Sequence, residues 1–261
     1  MVVALCVCAL GQWSALVTAG ATTWRYDLYD PTAVRYQEPD YTACAATTTQ
    51  MMLNTVYGQG QQEFGLHGFS LGDRFIPTKG PVFSWKPSTS YQTQEALLAY
   101  ERAHMTMVAS SAGTDAHGWR NGLNYFGWGS LGSGVYADQA FTTFDAAAKS
   151  VVHSIAVYGK PAGILAWYGG HAQYVTGYTV TGADPRTGSM DFTMTGIFLT
   201  DPLKKQAMRD TWLSYRTWRY GAPTIAFSRY LQKDSPMVDP IDGRTGVSEW
   251  YNRWVVIVAV R

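Results

Sequence analysis

The segment between residues 160 and 202 constrains the fold most, because its apolar residues fall into short runs of strand length. A two-residue hairpin signal, Gly169-Gly170, separates the first two runs. Later in the chain, two more runs have the same character. The predicted strands are Ala162–Tyr168, Ala172–Val180, Phe192–Thr200, Ile225–Tyr230 and Trp250–Val260. This pattern indicates an antiparallel sheet in the second half of the chain.

The first half of the chain has a helical pattern instead. Apolar residues form a stripe along a segment that begins near Tyr41 and ends at Gly58. A shorter amphipathic helix is predicted at Thr93–His104. A third helical face follows Thr142-x-x-Asp145, which resembles a capping box, and stops at Gly159 and Pro161. Helices followed by an antiparallel sheet predict an α+β fold.

Two stretches rich in glycine are predicted to be loops. They span Gly58–Ser90 and Ala109–Gly134, and they contain His67 and His117. Many aromatic residues lie in the second stretch. We expect both stretches to form the walls of an open cleft.

Composition limits the classes of function. Hydrophobic residues make up 46% of the chain and charged residues 15%, which predicts a globular rather than a disordered protein. Lys and Arg total 20 against 19 for Asp and Glu, and no basic run stands out, so nucleic-acid binding is not expected. Since no repeat or low-complexity linker follows, residues 22–261 are predicted to form a single domain.

The first 24 residues carry no charge. An apolar run, Met1–Leu10, is followed by Ala19-Gly20-Ala21, which has the small-x-small form of a signal-peptidase site. Residues 1–21 are therefore predicted to be a signal peptide, with an uncleaved N-terminal anchor as the alternative because a basic n-region is missing. The expected location is secreted or extracytoplasmic, with no other membrane contact.

Cys44 is the candidate nucleophile. Cleavage of the signal would remove Cys6 and Cys8, and a single thiol in an exported chain indicates a reactive role. Cys44 falls in the first turn of the first predicted helix, where the helix dipole lowers a thiol pKa. The alternative is a buried, inert thiol, which is common for free cysteine.

His171 and Asp201 are the candidate partners of Cys44. His171 follows the Gly169-Gly170 signal directly, and its strand face also carries Gln173. Positions 171 and 201 are symmetric about residue 186, in the middle of the turn between two predicted strands. A simple hairpin would place their Cβ atoms about 5 Å apart, where a carboxylate can orient an imidazole. The alternatives are a surface hairpin histidine and an Asp-Pro turn.

Gln37 is the fourth candidate. It precedes Cys44 by seven positions, and its side-chain amide could join the Cys44 N–H in an oxyanion hole. Taken alone, a glutamine in a loop predicts nothing.

Together, these four residues reproduce the order found in papain-like cysteine peptidases. Three segments resemble the branch that cleaves double-glycine bacteriocin leaders: YQEPDYTACAATTTQMMLN, YGKPAGILAWYGGHAQYVTGY and FLTDP. The resemblance implies a papain-like fold, with the helix that carries Cys44 packed on an antiparallel sheet. It also implies thiol-dependent hydrolysis of a peptide or isopeptide bond in a peptide or protein substrate. The implied roles are nucleophile for Cys44, acid–base for His171, orienting acid for Asp201 and oxyanion ligand for Gln37.

Other functions remain open. The family usually has glycine after the cysteine, whereas this chain has Ala45-Ala46. A non-catalytic binding module on the same fold is therefore an alternative. A cysteine acyltransferase or transglutaminase-like enzyme would use the same residues with an amine acceptor. Since neither HExxH nor a paired CxxC occurs, no cofactor and no catalytic metal are expected.

Overall fold

The computed structural model describes residues 21–37, 42–57, 90–106, 113–128, 134–203, 208–222, 226–232, 243 and 249–261. Within these ranges the helices are α1 (Cys44–Tyr57), α2 (Ser90–Ala103), α3 (Ala116–Trp128), α4 (Phe144–Tyr158) and α5 (Tyr215–Tyr220). The strands are β1 (Thr23–Asp27), β2 (Tyr136–Phe141), β3 (Ala162–Ala166), β4 (His171–Gly182), β5 (Phe192–Thr200), β6 (Thr211–Ser214) and β7 (Trp254–Ala259).

The seven strands form one sheet, and every pairing described is antiparallel. Its order is β2-β7-β3-β4-β5-β6, with β1 also paired to β4. One edge of β4 pairs with β3 along residues 171–175 and with β1 along residues 177–181, while the other edge pairs with β5. The 12-residue β4 therefore lies inside the sheet, with paired strands along both of its edges.

Each face of the sheet is covered by helices. Helices α1, α2 and α3 pack on one face, against Leu165, Tyr174 and Ile257 among others. Helix α4 and Trp218 of α5 pack on the opposite face, against residues that include Val175 and Val256. Since successive side chains of a strand point to opposite faces, β7 supplies both cores in alternation and reads as one apolar run. The protein thus has the predicted α+β class, with N-terminal helices packed against an antiparallel sheet.

Helix α3 contradicts the prediction of a loop at Ala109–Gly134. A Cβ atom on Gly118 would overlap the backbone of Glu101, and one on Gly122 would lie 2.7 Å from Glu101 Cγ. The glycines that suggested a loop therefore let α2 approach α3 closely. Tertiary packing outweighs the low helix propensity of glycine here. The loop prediction for His117 was wrong as well, because His117 lies in α3.

The other predicted helices are present with shifted ends. Helix α1 begins at Cys44, later than predicted, and α2 begins at Ser90, earlier than predicted. The N-cap of α4 is Thr143, whose side chain accepts a hydrogen bond from Ala146 N, so the box predicted at Thr142 was one residue early. Gly159 ends this helix in the left-handed conformation, with φ of 61°.

The turn before β4 differs from the predicted two-residue hairpin. Trp167 and Tyr168 have positive φ values of 52° and 57°, so they cannot continue β3. Ala166 pairs with His171, which leaves a four-residue turn. His171 is thereby the first residue of β4.

The remaining predicted strands are only partly present. Strand β5 has its predicted bounds, whereas β7 begins at Trp254 rather than at Trp250. Within the described part of Ile225–Tyr230 there is a single bridge, from Phe227 to Ala166. Residues 1–20 and 58–89, with the signal prediction and most of the first predicted loop, lie outside the described residues. Among the helices that are described, none is long and apolar enough to cross a bilayer.

Candidate active site

Cys44 is the first residue of α1 and is half-buried. The helix places it against the start of β4, because the Thr48 hydroxyl lies 2.7 Å from Cys44 O and 3.5 Å from Ala172 O. The backbone of Ala172 and that of Ala45 both hydrogen-bond to the Cys44 thiol. A thiol at a helix N-terminus with such donors is in the environment that stabilises a thiolate.

His171 connects Cys44 to Asp201. Its Nε2 lies 3.1 Å from Asp201 Oδ1 and 3.0 Å from Asp201 Oδ2, and the ring also hydrogen-bonds to the Cys44 thiol. Because Nε2 is engaged by the carboxylate, Nδ1 is the nitrogen available to the thiol. The imidazole is 3% exposed and stacks on Trp167, with ring centroids 4.4 Å apart. The ring is therefore held on three sides.

Asp201 lies just after β5 and is completely buried. Besides His171, its carboxylate accepts hydrogen bonds from Gln173 Nε2 at 2.6 Å and from Leu203 N at 2.7 Å. The guanidinium of Arg209 donates to its backbone oxygen. These hydrogen bonds fix the buried carboxylate in the orientation in which it contacts the imidazole.

The register that brings His171 and Asp201 together differs from the simple hairpin. Symmetry about residue 186 would place Tyr174 opposite Phe198, whereas the structure pairs Tyr174 with Thr200. The β4–β5 pair contains two register irregularities of opposite sign. At both ends of the pair, the partners are therefore shifted by two residues relative to the symmetric hairpin. Since side chains alternate with a period of two, an even offset keeps both side chains on one face. His171 and Asp201 meet as offset neighbours rather than directly opposite.

The site shifts the pKa values of Cys44 and His171 in opposite directions. Burial alone raises the pKa of the Cys44 thiol, but the hydrogen bond and charge of His171 and the backbone donors bring that pKa below its ordinary value. Burial alone lowers the pKa of His171, but hydrogen bonds to Asp201 and Cys44 raise it to about 9. Both shifts act in favour of a thiolate–imidazolium pair.

Gln37 is brought to the same region through its backbone. Its N–H donates to Pro202 O at 2.9 Å, which places Gln37 beside the turn that carries Asp201. The oxyanion role of its side-chain amide stays a prediction.

Two residues of this region had no role in the sequence analysis. Gln173 is completely buried and donates to Asp201, and its place on the strand face of His171 was the signal available for it. Trp167 covers the His171 ring from a turn with positive φ. No pattern in the sequence indicated that conformation.

The chain was compared with protein-family models, with curated proteins and with solved structures, and no match was found in any of the three. The chemistry of the site is therefore inferred from its geometry.

Proposed function

We propose that this protein is a cysteine peptidase-like hydrolase that cleaves a peptide or isopeptide bond. One observation carries the proposal: a half-buried thiol at a helix N-terminus hydrogen-bonds to a histidine, and a buried aspartate binds that histidine from the other side. This is the arrangement that an activated thiol nucleophile needs.

The proposed reaction has two halves. The Cys44 thiolate attacks the carbonyl carbon, and the resulting oxyanion is bound by the Cys44 N–H and the Gln37 amide. His171 then donates its proton to the leaving amine, and the C–N bond breaks to give a thioester. A water molecule loses a proton to His171 and attacks the thioester, which releases the acid and restores the thiolate. Asp201 keeps the imidazole oriented through both halves.

A papain-like fold is part of this proposal. Its support is the position of the nucleophile at the start of a helix that packs on an antiparallel sheet, with the histidine and the acid following in that order on adjacent strands. The alanines after Cys44 are compatible with it, because Ala45 acts on the thiol through its backbone. We also propose a relation to the bacteriocin-leader peptidases and an extracytoplasmic location, which rest on sequence segments alone.

The first test is hydrolysis of fluorescein-labelled casein by the full chain with Cys6 and Cys8 replaced by serine. We expect turnover in this parent protein and none in Cys44→Ala or His171→Ala. Equal rates for the parent and Cys44→Ala would contradict the mechanism. Incorporation of dansylcadaverine into casein without hydrolysis would assign the site to an acyltransferase instead.

A second test needs no substrate. The rate of Cys44 alkylation by iodoacetamide should remain high well below the ordinary thiol pKa of about 8.5, and this reactivity should be lost in His171→Ala. An ordinary titration near that value in the parent protein would favour a binding module without catalysis.

A further inference from the structure

A second group of ionisable side chains lies on α3, on β2 and just before Trp250. His117 Nε2 is 3.2 Å from Asp138 Oδ2 and 3.5 Å from Glu249 Oε2. All three donor atoms lie within 4.8 Å of one another. The side chains of His117 and Asp138 are completely buried, whereas that of Glu249 is 32% exposed. The group is thus a buried pair of donors with one ligand at the surface.

The hydrogen bonds around His117 fix the orientation of its ring. The Thr106 hydroxyl donates to Asp115 Oδ2 at 2.9 Å, so its oxygen is left to accept from His117 Nδ1 at 3.0 Å. Asp115 is fixed in turn by the N–H groups of Thr106 and Gly118, each at 2.8 Å. With Nδ1 directed at Thr106, Nε2 is the nitrogen that faces the two carboxylates. A histidine held through its other nitrogen in this way is typical of metal ligands.

Asp138 is oriented by two further groups. Arg120 Nη1 lies 3.0 Å from Oδ1, and Trp250 Nε1 donates to Oδ2 at 3.1 Å. Arg120 thus contacts Oδ1, whereas His117 contacts Oδ2. One imidazole nitrogen and two carboxylates face one another here, which is a set of donors that a divalent cation can bind.

We propose that His117 Nε2, Asp138 Oδ2 and the Glu249 carboxylate bind one divalent transition-metal ion, of which Zn²⁺ is the best fit. Zn²⁺ binds N and O donors at about 2.1 Å, which places tetrahedral donors about 3.4 Å apart. The separations of 3.2 and 3.5 Å match that geometry. Ca²⁺ and Mg²⁺ fit less well, because they prefer six or more oxygen donors. The ion joins α3, β2 and the chain that leads into β7, and it is separate from the Cys44 site.

The test uses the full chain with Cys6, Cys8 and Cys44 replaced by serine, so that no thiolate competes for the metal. Calorimetric titration with Zn²⁺ should show one equivalent bound in this parent protein. Glu249→Gln keeps the shape of the side chain but removes a ligand charge. It should weaken binding more than about 100-fold, since even loss of a second-shell partner costs about 10–100-fold. Zn²⁺ should also raise the melting temperature of the parent but not of Glu249→Gln.

Two control variants remove the same chemical groups elsewhere. Asp191→Asn and His153→Gln each delete one ligand type outside the group, and both should bind Zn²⁺ as the parent does. Absence of stoichiometric binding, or equal affinity in Glu249→Gln and the parent, would overturn the proposal. X-ray absorption at the zinc edge of the parent needs no further substitution. It should show one imidazole with oxygen donors, and a second imidazole would equally refute the site.

Discussion

The substitution Asp201→Asn removes the buried negative charge next to His171 while it keeps the shape of the side chain. Asp201 accepts hydrogen bonds from His171, Gln173 and Leu203. An asparagine oxygen can still accept from His171 and from Leu203 N. Its amino group would face Gln173, whose amide can rotate to accept instead of donate. The variant therefore tests the charge rather than the packing.

The size of the effect follows from the pKa of His171. A rise from 6.5 to about 9 corresponds to about 3.4 kcal/mol in favour of the imidazolium, at about 1.4 kcal/mol for each pKa unit. The hydrogen bond to Asp201 is the largest of the contributions that raise this pKa. We assign the aspartate charge at least about 1.4 kcal/mol of the total, which is a factor of about ten in the thiolate–imidazolium population.

The assay is the rate of Cys44 alkylation by iodoacetamide between about pH 5 and about pH 10, with Cys6 and Cys8 replaced by serine. Near pH 6 we expect Asp201→Asn to react about tenfold more slowly than the parent, with the two rates converging above the ordinary thiol pKa of about 8.5. Asp191→Asn, which loses an exposed carboxylate, should behave as the parent. Rates that agree within about twofold near pH 6 would refute the reasoning, because the charge of Asp201 would then not support the pair.

Three further substitutions test how buried groups contribute to stability. Gln173→Leu removes a buried donor to the Asp201 carboxylate and should lower the free energy of unfolding by about 1.5–3 kcal/mol, measured by urea denaturation. Gly163→Ala would place a Cβ 2.5 Å from Cζ2 of the buried Trp119 and should cost about 1–3 kcal/mol by the same measurement. Burial first, and then the charges of nearby groups, hold the pKa of Glu101 well above its ordinary value, so wild-type stability falls as pH rises through that pKa. Glu101→Gln should match the wild type below the ordinary carboxyl pKa of 4.5 and be the more stable protein near pH 8.

Gly163→Ala has a matched control, and each of the three predictions has an outcome that would contradict it. Gly113→Ala, whose Cβ would lie at an ordinary contact distance of 3.6 Å from Thr42 O, the nearest atom among the described residues, should change stability by less than about 0.5 kcal/mol. A similar loss in Gly113→Ala and Gly163→Ala would show that the cost is not the overlap with the indole ring. An unchanged urea midpoint for Gln173→Leu would mean that the carboxylate does not depend on that donor. If Glu101→Gln shows the same alkaline loss as the wild type, another group causes it.

Segments with a strong local pattern could be predicted from the sequence. The bounds of β5 and the end of α4 at Gly159 follow from apolar period and glycine chemistry, and the structure agrees with both. Helix α3 could not be predicted in this way. Its glycines indicate a loop by their propensity, and only the contact of Gly118 and Gly122 with Glu101 explains why they form a helix.

The site also has a part that could be predicted from the sequence and a part that could not. Symmetry of the hairpin placed His171 and Asp201 on one face, and the true offset of two residues left that result intact because it is even. The contact of Gln173 with Asp201 depends on a buried hydrogen-bond network. The contact of Trp167 with His171 depends on a turn with positive φ. The sequence could not relate His117 to Asp138 or Glu249, because the three residues are distant from one another in the chain. In addition, His117 was predicted to lie in a loop.

The position of β7 has a consequence for biosynthesis. Residues Trp254–Ala259 lie inside the sheet, between β2 and β3, although β2 and β3 were made more than 80 residues earlier. Until those residues leave the ribosome, β3 lacks its neighbour on one side and both cores lack the apolar side chains of β7. Domains generally fold as units during synthesis. A nascent chain that already contains Cys44 and His171 therefore still lacks the complete sheet, and we expect the contact between these two residues to form only after this later strand has been inserted.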